Sequence, residues 1–238
     1  MKMQKAAPNI RIWDLPIRLF HVAFAACVIG AIVTVQVGGL WMDWHVRLGI
    51  ASLALLVFRI IWGFIGSRYA KFSEFLTSPI HTMQYLRTIK ASRASNQNYA
   101  GHNPLGSWAV IAMLLTIGFQ AITGLFANDD IMTQGPLAQF VSDSTSSLMT
   151  GLHQLNEPVV YGLIALHLLA IIFYAMKGRN LVPSMVHGNI PANQLDPATP
   201  SAQDDFAIRL RALLLAALLA WGAWWLMQLA ANAGGSFS

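Results

Sequence analysis

Five stretches of the chain carry apolar residues almost without interruption, over residues 17–37, 45–65, 106–127, 157–176 and 207–231. Each is close to the about 20 residues an α-helix needs to cross a bilayer, and too long and continuous for barrel strands of about 9–11. Helices also satisfy their own backbone groups in lipid. The pattern predicts an all-α integral membrane protein. Residues 189–205 are polar, contain prolines and read as a linker. The expected layout is a four-helix transmembrane domain over residues 10–190, a linker over 191–206 and one additional C-terminal transmembrane helix over 207–231.

Composition supports this and narrows it. Of 238 residues, 55% are hydrophobic and only 11% charged, with mean hydropathy +0.52. A soluble domain carries about 25% charged residues, so a water-soluble enzyme or a disordered chain is excluded. A net charge of +5 raises nucleic acid as a partner, but basic residues of membrane proteins collect on the cytoplasmic side, and the apolar balance favours that account. The single cysteine, Cys27, permits no intrachain disulfide and no zinc site built from cysteine pairs. There is no CxxCH motif, so any haem would be held non-covalently.

Charge also sets an expected orientation. Lys2, Lys5, Arg11 and Arg18 precede or open the first span. Arg68, Lys71, Arg87, Lys90 and Arg93 lie near the connection from the second to the third. Lys177, Arg179, Arg209 and Arg211 flank the connection from the fourth to the fifth. Only Arg47 and Arg59 of the fifteen basic residues fall elsewhere, while Asp43, Asp129, Asp130, Asp143 and Glu157 occupy the opposite side. The positive-inside rule then puts the N-terminus in the cytoplasm and the C-terminus outside. Phe24-Ala25-Ala26-Cys27 faintly resembles a lipoprotein cleavage box, but the apolar run continues to Val37 and is interrupted near its start by Arg18 and His21. The first span is therefore read as retained. Trp41 and Trp44 suit an aromatic belt at the outer interface. Trp221, Trp224 and Trp225 mark a fifth helix without histidine, facing lipid or a partner.

The histidines carry the candidate chemistry. An ionisable side chain within a membrane helix is costly and points to function. His153 and His167 are fourteen residues apart on one helix, about 21 Å along the axis and within about 40° of one face. His45, at the first turn of the second span, matches the depth of His153. His21, near the inner end of the first span, matches His167. Four histidines thus form an outer pair, His45 with His153, and an inner pair, His21 with His167, about 20 Å apart. Two facing histidines in an apolar bundle suit bis-imidazole ligation of haem iron, so these four are candidate metal ligands. Gly30, Gly49, Gly118 and Gly124 are small enough to open space for a macrocycle or simply to let helices pack. Arg18, Arg47 and Arg59 are candidates to bind haem carboxylates through charge-assisted hydrogen bonds; for Arg47 and Arg59 the alternative is snorkelling to the interface. His81 and His187 sit in polar cytoplasmic context and read as solvated. In Gly101-His102-Asn103-Pro104, Asn103 reads as an N-cap and Pro104 as the first helical residue. A quinone headgroup contact by His102 is the sharper alternative.

These stretches resemble the prokaryotic cytochrome b561 family and the related b-type subunits of nickel–iron hydrogenases. The resemblance is carried by Ile12-Trp13-Asp14-Leu15-Pro16-Ile17-Arg18-Leu19-Phe20-His21, by Phe58-Arg59-Ile60-Ile61-Trp62-Gly63-Phe64-Ile65-Gly66-Ser67-Arg68-Tyr69 and by Gly101-His102-Asn103-Pro104-Leu105-Gly106. Thr123-Gly124-Leu125-Phe126, His153 and His167 complete it. It covers about residues 10–190. It implies a four-helix haem-binding bundle with two b haems on His21, His45, His153 and His167, exchanging electrons between membrane quinone and a partner. The fifth helix departs from the shortest members.

The expected function is electron transfer between the quinone pool and a redox partner in a respiratory chain of the bacterial inner membrane. The partner would be a periplasmic c-type cytochrome or an oxidoreductase catalytic subunit. Bis-histidine iron has no open position, which disfavours oxygen binding at the metal. Residues 127–152 form an acidic outer connection suited to steering a basic cytochrome. An alternative is a stand-alone quinone-dependent superoxide oxidoreductase, which would want a cationic outer face; the acidic connection counts against it. A metal-ion transporter would want carboxylates deep among the histidines, and the five runs offer none.

Overall fold

A computed structural model describes residues 8–90, 99–131 and 133–234. Lys2, Lys5 and Arg93, which entered the charge count above, lie outside them. In chain order the main elements are β1 (Asn9–Arg11), α1 (Leu15–Val37), α2 (Met42–Ile65), α3 (Phe72–Phe75), α4 (Pro79–Lys90), α5 (Pro104–Phe126), α6 (Asp143–Met176), α7 (Val182–His187), β2 (Asn189–Pro191) and α8 (Phe206–Gly234). Among the described residues α1, α2, α5, α6 and α8 are long and apolar enough to cross a membrane. The fold class is all-α, as expected.

Local chemistry fixes where these helices begin. Asp14 Oδ1 accepts the Ile17 N–H at 2.7 Å, and Asn103 Oδ1 accepts the Gly106 N–H at 2.7 Å with Pro104 at the first helical position. Ser142 Oγ accepts the Thr145 N–H at 3.3 Å, and Asp205 Oδ1 accepts the Ile208 N–H at 2.9 Å. Each satisfies a donor that the first turn of a helix leaves orphaned.

The fourth span starts earlier than its hydropathy suggests. The sequence places it at 157–176, yet α6 begins at Asp143, so much of the expected acidic outer connection is helix. At about 1.5 Å per residue α6 extends about 50 Å, more than the about 30 Å hydrocarbon core. Its first turns are polar and are tied down by hydrogen bonds. Ser146 Oγ donates to the Phe126 carbonyl at 2.8 Å, and Thr150 Oγ1 accepts the Asn128 N–H at 2.9 Å.

The chain divides into two compact units. One gathers the described parts of Met1–Leu19, Ile61–Ile111 and Leu166–Ala212. Here β1 and β2 pair antiparallel, with Ile10 opposite Ile190, so the expected linker is instead docked structure. Gly188, at φ +82°, ends α7 and offers its carbonyl to the Ile12 and Trp13 N–H groups at 2.8 and 3.1 Å. A Cβ there would stand 2.6 Å from the Trp13 carbonyl oxygen, so only glycine fits both the φ and the space. The Tyr69 hydroxyl donates to the Pro200 carbonyl at 2.7 Å, and the Ala202 N–H to the Arg11 carbonyl at 2.7 Å. Asp204 accepts from the Leu15 N–H and Arg209 Nε, each at 3.1 Å, and Arg11 Nη1 lies 3.4 Å away. Asp14 and Trp62 are fully buried, and Trp62 Nε1 donates to Asp14 Oδ2 at 3.1 Å.

The other unit gathers the described parts of Phe20–Ile60, Ala112–Ala165 and Leu213–Ser238. Leu56 of α2, Ile117 of α5 and Val160 of α6 form its buried core, with Phe24 and Val28 of α1 packed against them. Four helices therefore meet in one bundle. In lipid this core gains close van der Waals contact rather than relief from water.

The fold predicts two outcomes. Asp14→Ala removes a cap worth about 1 kcal/mol and the hydrogen bond from the buried Trp62 indole, worth about a further 1 kcal/mol. Its melting midpoint in detergent falls accordingly. Burial raises the Asp204 pKa, but hydrogen bonds from Arg209 and the Leu15 N–H, with the charges of Arg209 and Arg11, outweigh it and leave the carboxyl below its usual range. A depressed folded-state pKa stabilises the native state fully above the unfolded value of about 4. That contribution is lost as pH falls through the lower folded value. Melts of wild type and Asp204→Asn therefore differ at neutral pH and converge on acidification.

Candidate functional site

The site lies in the four-helix unit. His45 sits at the first turn of α2 and His153 midway along the polar part of α6, both half-buried. Their ring centroids are 6.1 Å apart and the rings are nearly perpendicular, at 88°. His45 Nδ1 lies 2.9 Å from the Ala31 carbonyl of α1, and His153 Nδ1 lies 2.9 Å from the Gln120 carbonyl of α5. A carbonyl only accepts, so each Nδ1 carries the proton and donates. In a neutral imidazole so held, Nε2 carries the lone pair with which histidine binds a metal.

Small and polar residues around His153 complete the arrangement. A Cβ at Gly124 would come 2.9 Å from the His153 ring, so the glycine lets this ring lie against α5. The Thr123 hydroxyl donates to the Phe119 carbonyl at 2.8 Å and lies 3.3 Å from His153 Nδ1. Asn156, one turn along α6, donates to the Thr116 carbonyl at 3.0 Å and to Gln120 Oε1 at 2.8 Å. It ties α6 to α5 beside the histidine. At Gly49, one turn past His45, an added Cβ would meet no atom within 4 Å.

These residues fit a haem. An imidazole nitrogen stands about 2 Å from a first-row metal ion. Two in line therefore put the ring centroids about 6 Å apart, close to the separation here. Both rings already present the required tautomer. Among the described residues no group of three or more His, Cys, Asp or Glu side chains is placed to hold a metal ion.

The remaining sequence candidates separate clearly. His21 lies on α1 in the four-helix unit and His167 on α6 in the other, both half-buried. Arg18 donates through Nη2 to the Val186 carbonyl, while its Nε is buried with no partner among the described residues. Arg47 is exposed, with its guanidinium 5.7 Å from the Trp44 ring centroid. Arg59 is only 3% exposed and so does not snorkel. His81 and His187 are exposed. The His102 ring packs between Trp13 and Phe75, at 5.0 and 4.7 Å between centroids. Asn103 caps α5 as expected, and its amide also donates to the Tyr174 hydroxyl at 2.6 Å. Burial, and then the hydrogen bond to Tyr174 at 3.3 Å, holds the Tyr85 phenol above its usual range.

The Ala31 and Gln120 carbonyls escaped the sequence reading because a backbone acceptor has no residue-type signature. The Asp14–Trp62 bond was present only as two members of separate motifs. A family model described as prokaryotic cytochrome b561 matches residues 12–188. Comparison with curated proteins and with solved structures gives no match.

Proposed function

The chain belongs to the prokaryotic cytochrome b561 family, and from that premise we propose that it carries electrons between the membrane quinone pool and a redox partner in a respiratory chain. The family makes it a multi-pass membrane b-type cytochrome of electron transfer. The observation that carries the finer reading is the His45/His153 pair, two half-buried rings whose Nδ1 atoms are held by backbone carbonyls and whose Nε2 atoms are available.

In this reading His45 and His153 hold one haem b, and His21 and His167 hold a second, about 20 Å away by helix rise. When bound, these groups would supply one-electron chemistry, held by the four histidines. The chain's own residues set the conditions. Carbonyls of α1 and α5 orient the outer imidazoles, and Gly124 gives one of them room. Arg18, Arg47 and Arg59 supply guanidinium groups for the haem carboxylates.

In this reading the protein lies in the bacterial inner membrane with its N-terminus in the cytoplasm and its C-terminus in the periplasm, as the distribution of its basic residues favours. Residues 10–190 form the dihaem domain, 191–206 the docked connection and 207–231 the core of the fifth span. Asp129, Asp130 and Asp143 are exposed on the outer connection, where they suit steering of a basic c-type cytochrome or an oxidoreductase subunit.

The test is a pyridine haemochrome assay with reduced-minus-oxidised spectra on detergent-purified protein. Wild type carries two b haems per chain. His153→Ala and His167→Ala each lose about half of that and the corresponding low-spin signal. Protein free of haem from cells supplied with haem precursor would overturn the reading.

A further inference from the structure

The connection between α2 and α5 carries five basic residues and one acid, Glu74, over residues 66–103. Its longest described helix, α4, runs Pro79–Lys90, about 18 Å. Two side-chain contacts fix its level. Trp108 Nε1, in the second turn of α5, donates to Thr82 Oγ1 at 3.1 Å. The Tyr85 hydroxyl lies 3.3 Å from the Tyr174 hydroxyl, two residues before α6 ends. α4 is therefore pinned where one span begins and another ends, at the level of the membrane surface.

Around its axis α4 has three faces. Thr82 and Tyr85 are buried and Leu86 is half-buried, which marks the face toward α5 and α6. At about 100° per residue, Ile80, Met83 and Arg87 fall within about 60° of one another on one flank. His81 and Gln84 fall within about 60° on the other. All five are exposed, Ile80 by 70% and Met83 by 57%. A helix with one apolar and one polar flank suits the headgroup boundary of a bilayer, where the apolar side sinks by about 5–10 Å. Arg87 shares the apolar flank. An arginine stem packs along apolar surroundings while its guanidinium reaches outward, and a guanidinium binds phosphate through paired, charge-assisted hydrogen bonds. The one acid of the connection, Glu74, already engages Arg68 at 3.5 Å.

We propose that α4 is an in-plane helix of the membrane surface that holds an anionic phospholipid, with Ile80 and Met83 entering the leaflet and Arg87 binding the lipid phosphodiester. The charge of the connection selects the occupant. Five basic residues against one acid are complementary to headgroups of net negative charge, and each basic residue near such a surface favours it about fivefold. On the orientation favoured above, this is the cytoplasmic leaflet. The proposal goes beyond the electron-transfer reading and needs neither haem nor quinone. It requires only that the chain span a bilayer.

The experiment uses the full chain in nanodiscs of phosphatidylcholine alone and of an equimolar mixture with phosphatidylglycerol. In a Cys27→Ser background a nitroxide is attached at Met83→Cys or at His81→Cys, about 160° away around the helix. Collision with oxygen, which concentrates in lipid, and with a nickel chelate, which stays in water, reads the depth of each label. The label at position 83 meets oxygen and is shielded from nickel, and the label at position 81 shows the reverse. Ile80→Cys serves in place of Met83→Cys if that variant does not accumulate. Native mass spectrometry of protein released from the mixed discs reads the bound lipid. Wild type retains phosphatidylglycerol over phosphatidylcholine. Arg87→Gln loses about fivefold of that preference, with helix content unchanged by circular dichroism, and Arg87→Lys keeps part of it. Labels that behave alike or in reverse overturn the in-plane helix, and if both are open to nickel the face belongs to a soluble partner instead. Equal retention of the two lipids by wild type, or an unchanged preference in Arg87→Gln, overturns the lipid site. A wild type that binds no haem overturns the functional reading and leaves every one of these outcomes legible.

Discussion

Each ring of the outer histidine pair is held by a carbonyl from a helix other than its own. His45 of α2 leans on Ala31 of α1, and His153 of α6 leans on Gln120 of α5. A helical carbonyl already accepts one bond within its helix, and its second lone pair takes the imidazole N–H. The bonds therefore cost the helices none of their own ladder. They join the same helices that supply the apolar core of Leu56, Ile117 and Val160. Helix packing and ring orientation are consequently one problem. A sliding helix would turn an imidazole, and a turned imidazole would leave an N–H unpaired in a medium that offers no water.

The coarse plan was legible because lipid makes it so. A spanning segment must be apolar for about 20 residues, and that demand leaves its mark along most of α1, α2, α5 and α8. The pairing of His45 with His153 followed from counting helix rise to matched depths, since a histidine in such a segment stands out. What escaped detection was polar and local. The first turns of α6 look like loop because Ser146 and Thr150 are hydrophilic, yet their hydroxyls bond the chain just after α5. The connection before α8 has a linker's composition, yet Asp204 and Tyr69 anchor it to distant segments. Composition reports what a residue prefers in water or lipid. It does not report which donor waits for it elsewhere in the chain.

The two units answer to different physics. In the four-helix unit, small residues and van der Waals contact bring helices together, and a few polar side chains bond across them. Thr123, Asn156 and Gln120 surround a single ring. In the other unit, short elements are held by backbone hydrogen bonds and by capping side chains. There Asp14 serves twice, closing the first turn of α1 and taking the indole proton of Trp62.

The β1–β2 pairing bears on how the protein is made. Ile10 meets Ile190, so the strand partner of the N-terminal segment emerges from the ribosome only after α1, α2, α5 and α6 have been synthesised. At about 5–20 residues per second, the first segment waits roughly ten to forty seconds for that partner. Its closure, and with it the contact of Arg11 with Asp204, is a late event that requires the intervening helices to have reached their places. The small sheet therefore closes only in chains that have already made their first four spans, and it can do so before the fifth is complete.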